Sequence, residues 1–138
     1  SLTGSQEVPP KNTSASGFAT LVLNENGTAT LSLTINSLDG QTQTAAHIHG
    51  PAPVGTNAGI LISLPTGSFS NFSLGTLTPA QIADLKAGLW YVNIHTTANP
   101  GGIIRGQLVA TPEPATLLLL GTGLLSVVGL TRRRKRED

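Results

Sequence analysis

With 138 residues, 16 glycines and 9 prolines against 11% charged and 4% aromatic side chains, the chain suits one small β-rich domain with many turns, not a helical bundle or coiled coil. It has no cysteine, which excludes disulfides, thiol nucleophiles and Cys-ligated metals. A formal charge of +1 hides a knot of five cations at the C-terminus (Arg132, Arg133, Arg134, Lys135 and Arg136); the 3 cations and 5 anions of residues 1–131 do not make the basic face of a nucleic-acid binder, so no nucleic-acid partner is expected.

The predicted elements are short strands. Leu21 and Leu23 alternate with smaller or polar residues, Asn24-Glu25-Asn26-Gly27 makes a turn, and Ala29, Leu31, Leu33 and Ile35 follow at period two. This reads as a β-hairpin with one buried face, the Asn-Gly pair supplying left-handed turn positions. Asp39-Gly40 marks a second turn, residues 42–49 form a strand, and the loop Gly50-Pro51-Ala52-Pro53-Val54-Gly55 interrupts pairing because proline cannot donate to a ladder. Strands are predicted at Ile60–Leu64 and 69–77. Thr78-Pro79-Ala80-Gln81 then carries a helix-start signature, with Thr at the N-cap, Pro at the first helical position and Gln three residues after the cap. Ile82, Ala83 and Leu85 supply the apolar face, and Gly88 the stop. Leu89–Thr96 and Ile103–Val109 are the last two strands, joined by the turn Asn99-Pro100-Gly101-Gly102. Strands at this spacing predict an all-β fold, an antiparallel sandwich or barrel with one short helix.

The C-terminal end is a membrane signal. Ala115 to Leu130 holds no charge, and sixteen helical residues span roughly 24 Å against a hydrocarbon core of about 30 Å. The stretch, counted as 115–131 with Thr131, is expected to cross the inner membrane as a single helix, with snorkelling arginines extending its reach. Arg132 to Arg136 stay in the cytoplasm, because carrying several cations through a bilayer is costly, and the preceding domain lies outside. Pro112-Glu113-Pro114 stands just before the span, extended by its two prolines. A Pro-Glu-Pro motif, a short apolar span and a terminal arginine cluster, in that order over 112–138, closely resemble the PEP-CTERM sorting signal of Gram-negative bacteria. The resemblance implies recognition by an exosortase, cleavage near Pro112, Glu113 and Pro114, and delivery of the outer domain to the cell surface or exopolysaccharide matrix. Export by that route needs an amino-terminal leader, expected upstream of Ser1 or already trimmed.

The three histidines fall in two motifs. On a strand, residues two apart project to one face, so His47 and His49 in Ala46-His47-Ile48-His49 point one way and Ile48 the other. In Trp90-Tyr91-Val92-Asn93-Ile94-His95 the set Tyr91, Asn93, His95 alternates with Trp90, Val92, Ile94. Were the two strands neighbours, three imidazoles would converge, a donor set that suits copper or zinc. The competing expectation is structural: the histidines bond loop carbonyls and pin the proline-rich loop, since no acidic group stands near them in sequence to orient a ligand.

The same residues carry a second resemblance. Leu2-Thr3-Gly4-Ser5-Gln6-Glu7-Val8-Pro9-Pro10, Ala46-His47-Ile48-His49-Gly50-Pro51-Ala52, Tyr91-Val92-Asn93-Ile94-His95-Thr96 and Gly102-Ile103-Ile104-Arg105-Gly106-Gln107-Leu108 look, in order, like the motifs of the CHRD domain. That family is an extracellular module found in many exported bacterial proteins. The resemblance implies an immunoglobulin-like or superoxide-dismutase-like β-sandwich over 1–110, followed by the sorting segment 111–138. The family's Gly-Glu-Ile-Arg-Gly-Gln pattern has Ile103 in place of its acid here, which removes a carboxylate partner for Arg105 at that position. Arg105 is expected either to pair with Glu7 or to bind an anionic polysaccharide group. The His-x-His strand is also similar to that of copper–zinc superoxide dismutase, but three histidines cannot fill a two-metal site.

Other chemistry is thin: no Gly-x-Ser-x-Gly elbow, no phosphate loop and no EF-hand pattern. Glu7, Glu25, Asp39, Asp84 and Glu113 are scattered rather than paired as in a glycosidase. Trp90 and Tyr91 lie on opposite strand faces and do not form one sugar platform. The expectation is a non-enzymatic exported module with no certain cofactor, binding exopolysaccharide or surface proteins. The alternative is a copper or zinc protein using His47, His49 and His95.

Overall fold

A computed structural model describes residues 1–111; the expected membrane helix and basic cluster lie outside the described residues. The strands are β1 (Leu2–Thr3), β2 (Ser16–Leu23), β3 (Thr28–Ser37), β4 (Gln43–His49), β5 (Ile60–Leu64), β6 (Phe69–Thr76), β7 (Trp90–Thr96) and β8 (Ile104–Leu108), with the helix α1 (Pro79–Lys86) between β6 and β7. No helix among the described residues is long and apolar enough to cross a membrane.

The β2–β3 hairpin forms where Asn-Gly places it. Asn24 and Thr28 close the turn through a backbone bond of 2.8 Å, and Gly27 takes the left-handed conformation at φ +82°. Register puts Leu21 opposite Leu31 and Leu23 opposite Ala29. Ala29, Leu31 and Leu33 are buried at period two, as the alternation requires. In α1 the Thr78 hydroxyl accepts from the Gln81 amide and the Gln81 side chain accepts from the Thr78 amide, a reciprocal cap. Leu85 and Ile82 turn to the core, whereas Ala83 is exposed rather than on the apolar face. Gly88, at φ +72°, ends the helical turn.

The antiparallel all-β class with one short helix stands, but the strands do not separate into two sheets. They form one eight-stranded sheet in the order β5-β4-β7-β8-β1-β2-β3-β6, curled toward a barrel. The stitch is β1, whose Leu2 pairs with Gly17 of β2 and whose Thr3 pairs with Arg105 of β8. A two-residue strand leaves no alternation to read. β1 also needs a glycine beside it: a Cβ on Gly106 would stand 2.5 Å from the Ser1 carbonyl oxygen. Curling lets Leu31 and Leu33 from one end of the sheet share a single core with Ile48, Trp90, Val92, Ile94 and Ile104 from the other. Burial of that cluster is the dominant stabilising term, and each fully buried aliphatic side chain contributes roughly 1.5–3 kcal/mol.

Candidate metal centre

Strands β4, β7 and β8 sort their side chains by parity. Ala46, Ile48, Trp90, Val92, Ile94 and Ile104 face the core. The intervening residues face the other way, and register brings them into rows: His49 is opposite Tyr91, and His47 is opposite Asn93, which is in turn opposite Arg105. Directly paired residues of antiparallel strands share a face. This polar face is overlain by the loop between β4 and β5 and by the N-terminal segment. Gln107 holds the loop's start, donating to the carbonyls of Ala52 and Gly88 at 2.9 and 2.7 Å.

The three imidazoles do converge. Their ring centroids are 4.8 Å (His47–His95), 5.5 Å (His47–His49) and 5.8 Å (His49–His95) apart. One ligating nitrogen from each lies within 4.8 Å of the others. A metal at about 2.0–2.1 Å from three nitrogens asks for N···N spacings of roughly 3.3 Å. His47 Nδ1 and His95 Nε2, 3.0 Å apart, already stand near that spacing.

The tautomers follow from the surroundings. A backbone carbonyl is an acceptor only, so His49 Nδ1, 3.0 Å from the Ala58 oxygen, and His95 Nδ1, 2.9 Å from the Pro100 oxygen, both carry hydrogen. In the neutral rings the lone pair is then on Nε2. In the metal-free protein His95 Nε2 accepts from His47 Nδ1, and ligation through His47 Nδ1 requires that proton to move to its Nε2. His49 Nε2 is buried with no hydrogen-bond partner, a costly arrangement that a metal bond would relieve. Burial, followed by repulsion from His95 and His49, holds the His47 imidazole below its ordinary range. Burial also lowers His49, partly offset by its bond to the Ala58 carbonyl. Both rings are therefore neutral near pH 7, the form that ligates. The absent acidic partner is replaced by carbonyls of the two loops that follow the histidine strands, nine residues after His49 and five after His95; a backbone oxygen leaves no trace in residue type.

Tyr91 and Arg105 back the cluster. The Tyr91 ring stacks on His49 with planes 4° apart and centroids 5.0 Å apart, and its hydroxyl accepts the Ala58 amide at 3.0 Å. The Arg105 guanidinium lies 3.4 Å from the Tyr91 ring centroid. Arg105 is 1% exposed and donates to Thr56 O (2.8 Å), Asn57 Oδ1 (3.2 Å) and Gln107 Oε1 (3.5 Å). All three acceptors are neutral, Glu7 feels Arg105 through its charge and not through a hydrogen bond, and the guanidinium is buried away from the surface. It clamps the loop segment that presents Ala58 to His49. Ile103, in place of an acid, is fully buried.

Glu7 is 4% exposed, and its Oε1, like Asn93 Oδ1, is buried without a partner. Burial raises its carboxyl from 4.5 to about 7, against the opposing pull of Arg105, Lys11 and Asn93. Both oxygens crowd Gly102, where a Cβ would come within 2.5 Å of Asn93 Oδ1 and 2.6 Å of Glu7 Oε1. Trp90 is wholly buried and Tyr91 is 2% exposed, so neither stacks on a sugar from solvent. Strand alternation had already placed Tyr91 and Asn93 beside His95; their contacts needed the register of β4 on β7.

A β-rich module with three gathered imidazoles thus precedes an apolar and then basic tail. The family model of the CHRD domain matches residues 1–108, and the chain belongs to that family. A second family model, the PEP-CTERM protein-sorting motif, matches residues 110–135, which marks the chain as an exported protein recognised by an exosortase. No curated protein and no solved structure matches it.

Proposed function

We propose that residues 1–111 form a non-enzymatic metal-binding module working outside the cytoplasm, which holds one copper or zinc ion on His47, His49 and His95. The observation that carries this reading is the buried, unpartnered Nε2 of His49 within a cluster whose ligating nitrogens lie within 4.8 Å of one another. Fixing Nδ1 on backbone carbonyls is how proteins commonly orient histidine ligands. Three neutral imidazoles suit late first-row divalent ions and leave one coordination position open. Among the described residues the gathered ligands are three histidines and no carboxylate.

Delivery precedes this role. Residues 115–131 hold the chain in the inner membrane with the module outside and Arg132–Arg136 inside, until exosortase cuts near Pro112-Glu113-Pro114 and the module passes to the cell surface or matrix. Titration of the full chain in detergent with Zn(II) or Cu(II), followed by calorimetry, tests the metal reading. One equivalent is expected to bind, and His49→Ala is expected to remove at least about 100-fold in affinity. Absence of stoichiometric binding at micromolar metal overturns the reading.

A further inference from the structure

We infer that the open position of this centre takes a carboxylate from a molecule outside the chain. The inference rests on the metal-binding reading above and names the ligand class of that same site. Charge is its first ground. Three neutral imidazoles leave the two positive charges of the ion uncompensated, and the ligating cluster among the described residues contains no carboxylate. Buried dications are paired with anions wherever one can reach them.

The second ground is the fixed cation behind the cluster. Arg105 and His49 both lie against the ring of Tyr91, at 3.4 and 5.0 Å from its centroid. A guanidinium centred over the ring leaves no room for a parallel imidazole on the same side, so Tyr91 separates the two as the middle layer of a stack. The bonds of Arg105 go to neutral oxygens. Below about pH 7, where burial keeps Glu7 protonated, the charge of Arg105 therefore adds to that of the ion in a region of low dielectric, where fields are weakly screened. Hard oxygen anions suit zinc and cupric ions at such a position.

The third ground is access. His47 is only half-buried, and Pro100, whose carbonyl holds His95, and Asn57 and Gly59, which flank the Ala58 carbonyl that holds His49, are exposed. The solvent side of the cluster is therefore that of His47, since His49 and His95 are each 8% exposed. Arg105, at 1% exposure, cannot touch a ligand there and acts on it only through its field. Free carboxylates and the uronate groups of an acidic polymer present the same donor.

The test uses the full chain in detergent, loaded with one equivalent of Cu(II) and followed by its visible and EPR spectra during titration with acetate or polygalacturonate. A saturable spectral shift with a Kd of about 1 mM or tighter, absent with glucose and with the metal-free protein, is expected. A shift with the polymer alone assigns the ligand to a polysaccharide, and a shift with acetate alone assigns it to a small acid; both sustain the inference. Arg105→Gln is expected to weaken carboxylate binding several-fold more than Arg105→Lys, beyond any change in copper affinity. Equal loss in both variants overturns the role of the cation. Stoichiometric copper binding with no carboxylate shift overturns the inference and leaves the metal reading intact. Failure to bind copper overturns the inference, and failure to bind zinc as well overturns the metal reading with it.

Discussion

Tyr91 lies flat on His49, with ring planes 4° apart, and both reach the same backbone oxygen. The Ala58 carbonyl accepts from His49 Nδ1 at 3.0 Å and from the Tyr91 hydroxyl at 3.3 Å. One loop residue thus sets the tautomer of a candidate ligand and the position of the ring packed on it. Tyr91→Phe keeps the stack and removes the hydroxyl, leaving the Ala58 amide without its acceptor. Loss of a buried hydrogen bond costs about 1–3 kcal/mol, and a disturbed orienting partner lowers metal affinity by about 10-fold. Urea unfolding of the metal-free protein and a metal titration check the two effects separately. Unchanged affinity alongside reduced stability would assign Tyr91 to the fold alone.

Much of this arrangement was legible before the structure. The parity of Ala46-His47-Ile48-His49 and of Trp90 to His95 already separated core from site, because strand geometry allows only two faces. The Asn-Gly turn, the reciprocal cap at Thr78 and Gln81, and most strand bounds followed from local chemistry. The adjacency of β4 and β7 did not, since register is a long-range property. Nor did the joining of the sheet through Leu2 and Thr3, where two residues carry no period. The carbonyls of Ala58 and Pro100 were invisible for a different reason: any residue supplies a backbone oxygen. The expected pairing of Glu7 with Arg105 matched two charges correctly and missed the loop that reaches the guanidinium first.

Gly102→Ala is expected to destabilise the fold. The residue sits at φ +122°, where a side chain is strained by about 1–3 kcal/mol, and the added methyl would press on Asn93 Oδ1 and Glu7 Oε1. The clash is with the ends of two buried side chains, 5% and 4% exposed, which have little room to turn away. A melting temperature lower by several degrees in calorimetry is the expected result. Gly101→Ala, with nothing within 4 Å of its Cβ, is the control expected to melt close to the parent.

The sorting segment makes a prediction independent of the metal. Glu113→Ala, or removal of Arg132 to Arg136, is expected to stop processing in a host that carries an exosortase, leaving a full-length band on immunoblot. Without the cations, the apolar stretch also loses the charge bias that orients it. Normal conversion of both variants to the shorter product would show that these residues are not what is read.

Glu7 gives stability a pH dependence whose sign is opposite to that of most carboxylates. Its carboxyl is raised in the fold from 4.5 to about 7, so the unfolded chain releases this proton more readily than the folded one. Its favourable contribution is complete below pH 4.5 and is lost as pH rises through about 7. His47 and His49 act in the other direction, because burial lowers both; their contribution is present above the ordinary imidazole value and lost as pH falls below it. Comparing variants isolates the carboxyl from the imidazoles. Glu7→Gln keeps the shape and the hydrogen-bonding capacity of the neutral acid but cannot ionise. Its stability relative to the parent is therefore expected to improve steadily from pH 5 to pH 8 in denaturant unfolding of the metal-free protein. A difference that stays flat across that range would mean that Glu7 ionises as readily in the fold as in the unfolded chain and that burial does not raise its carboxyl.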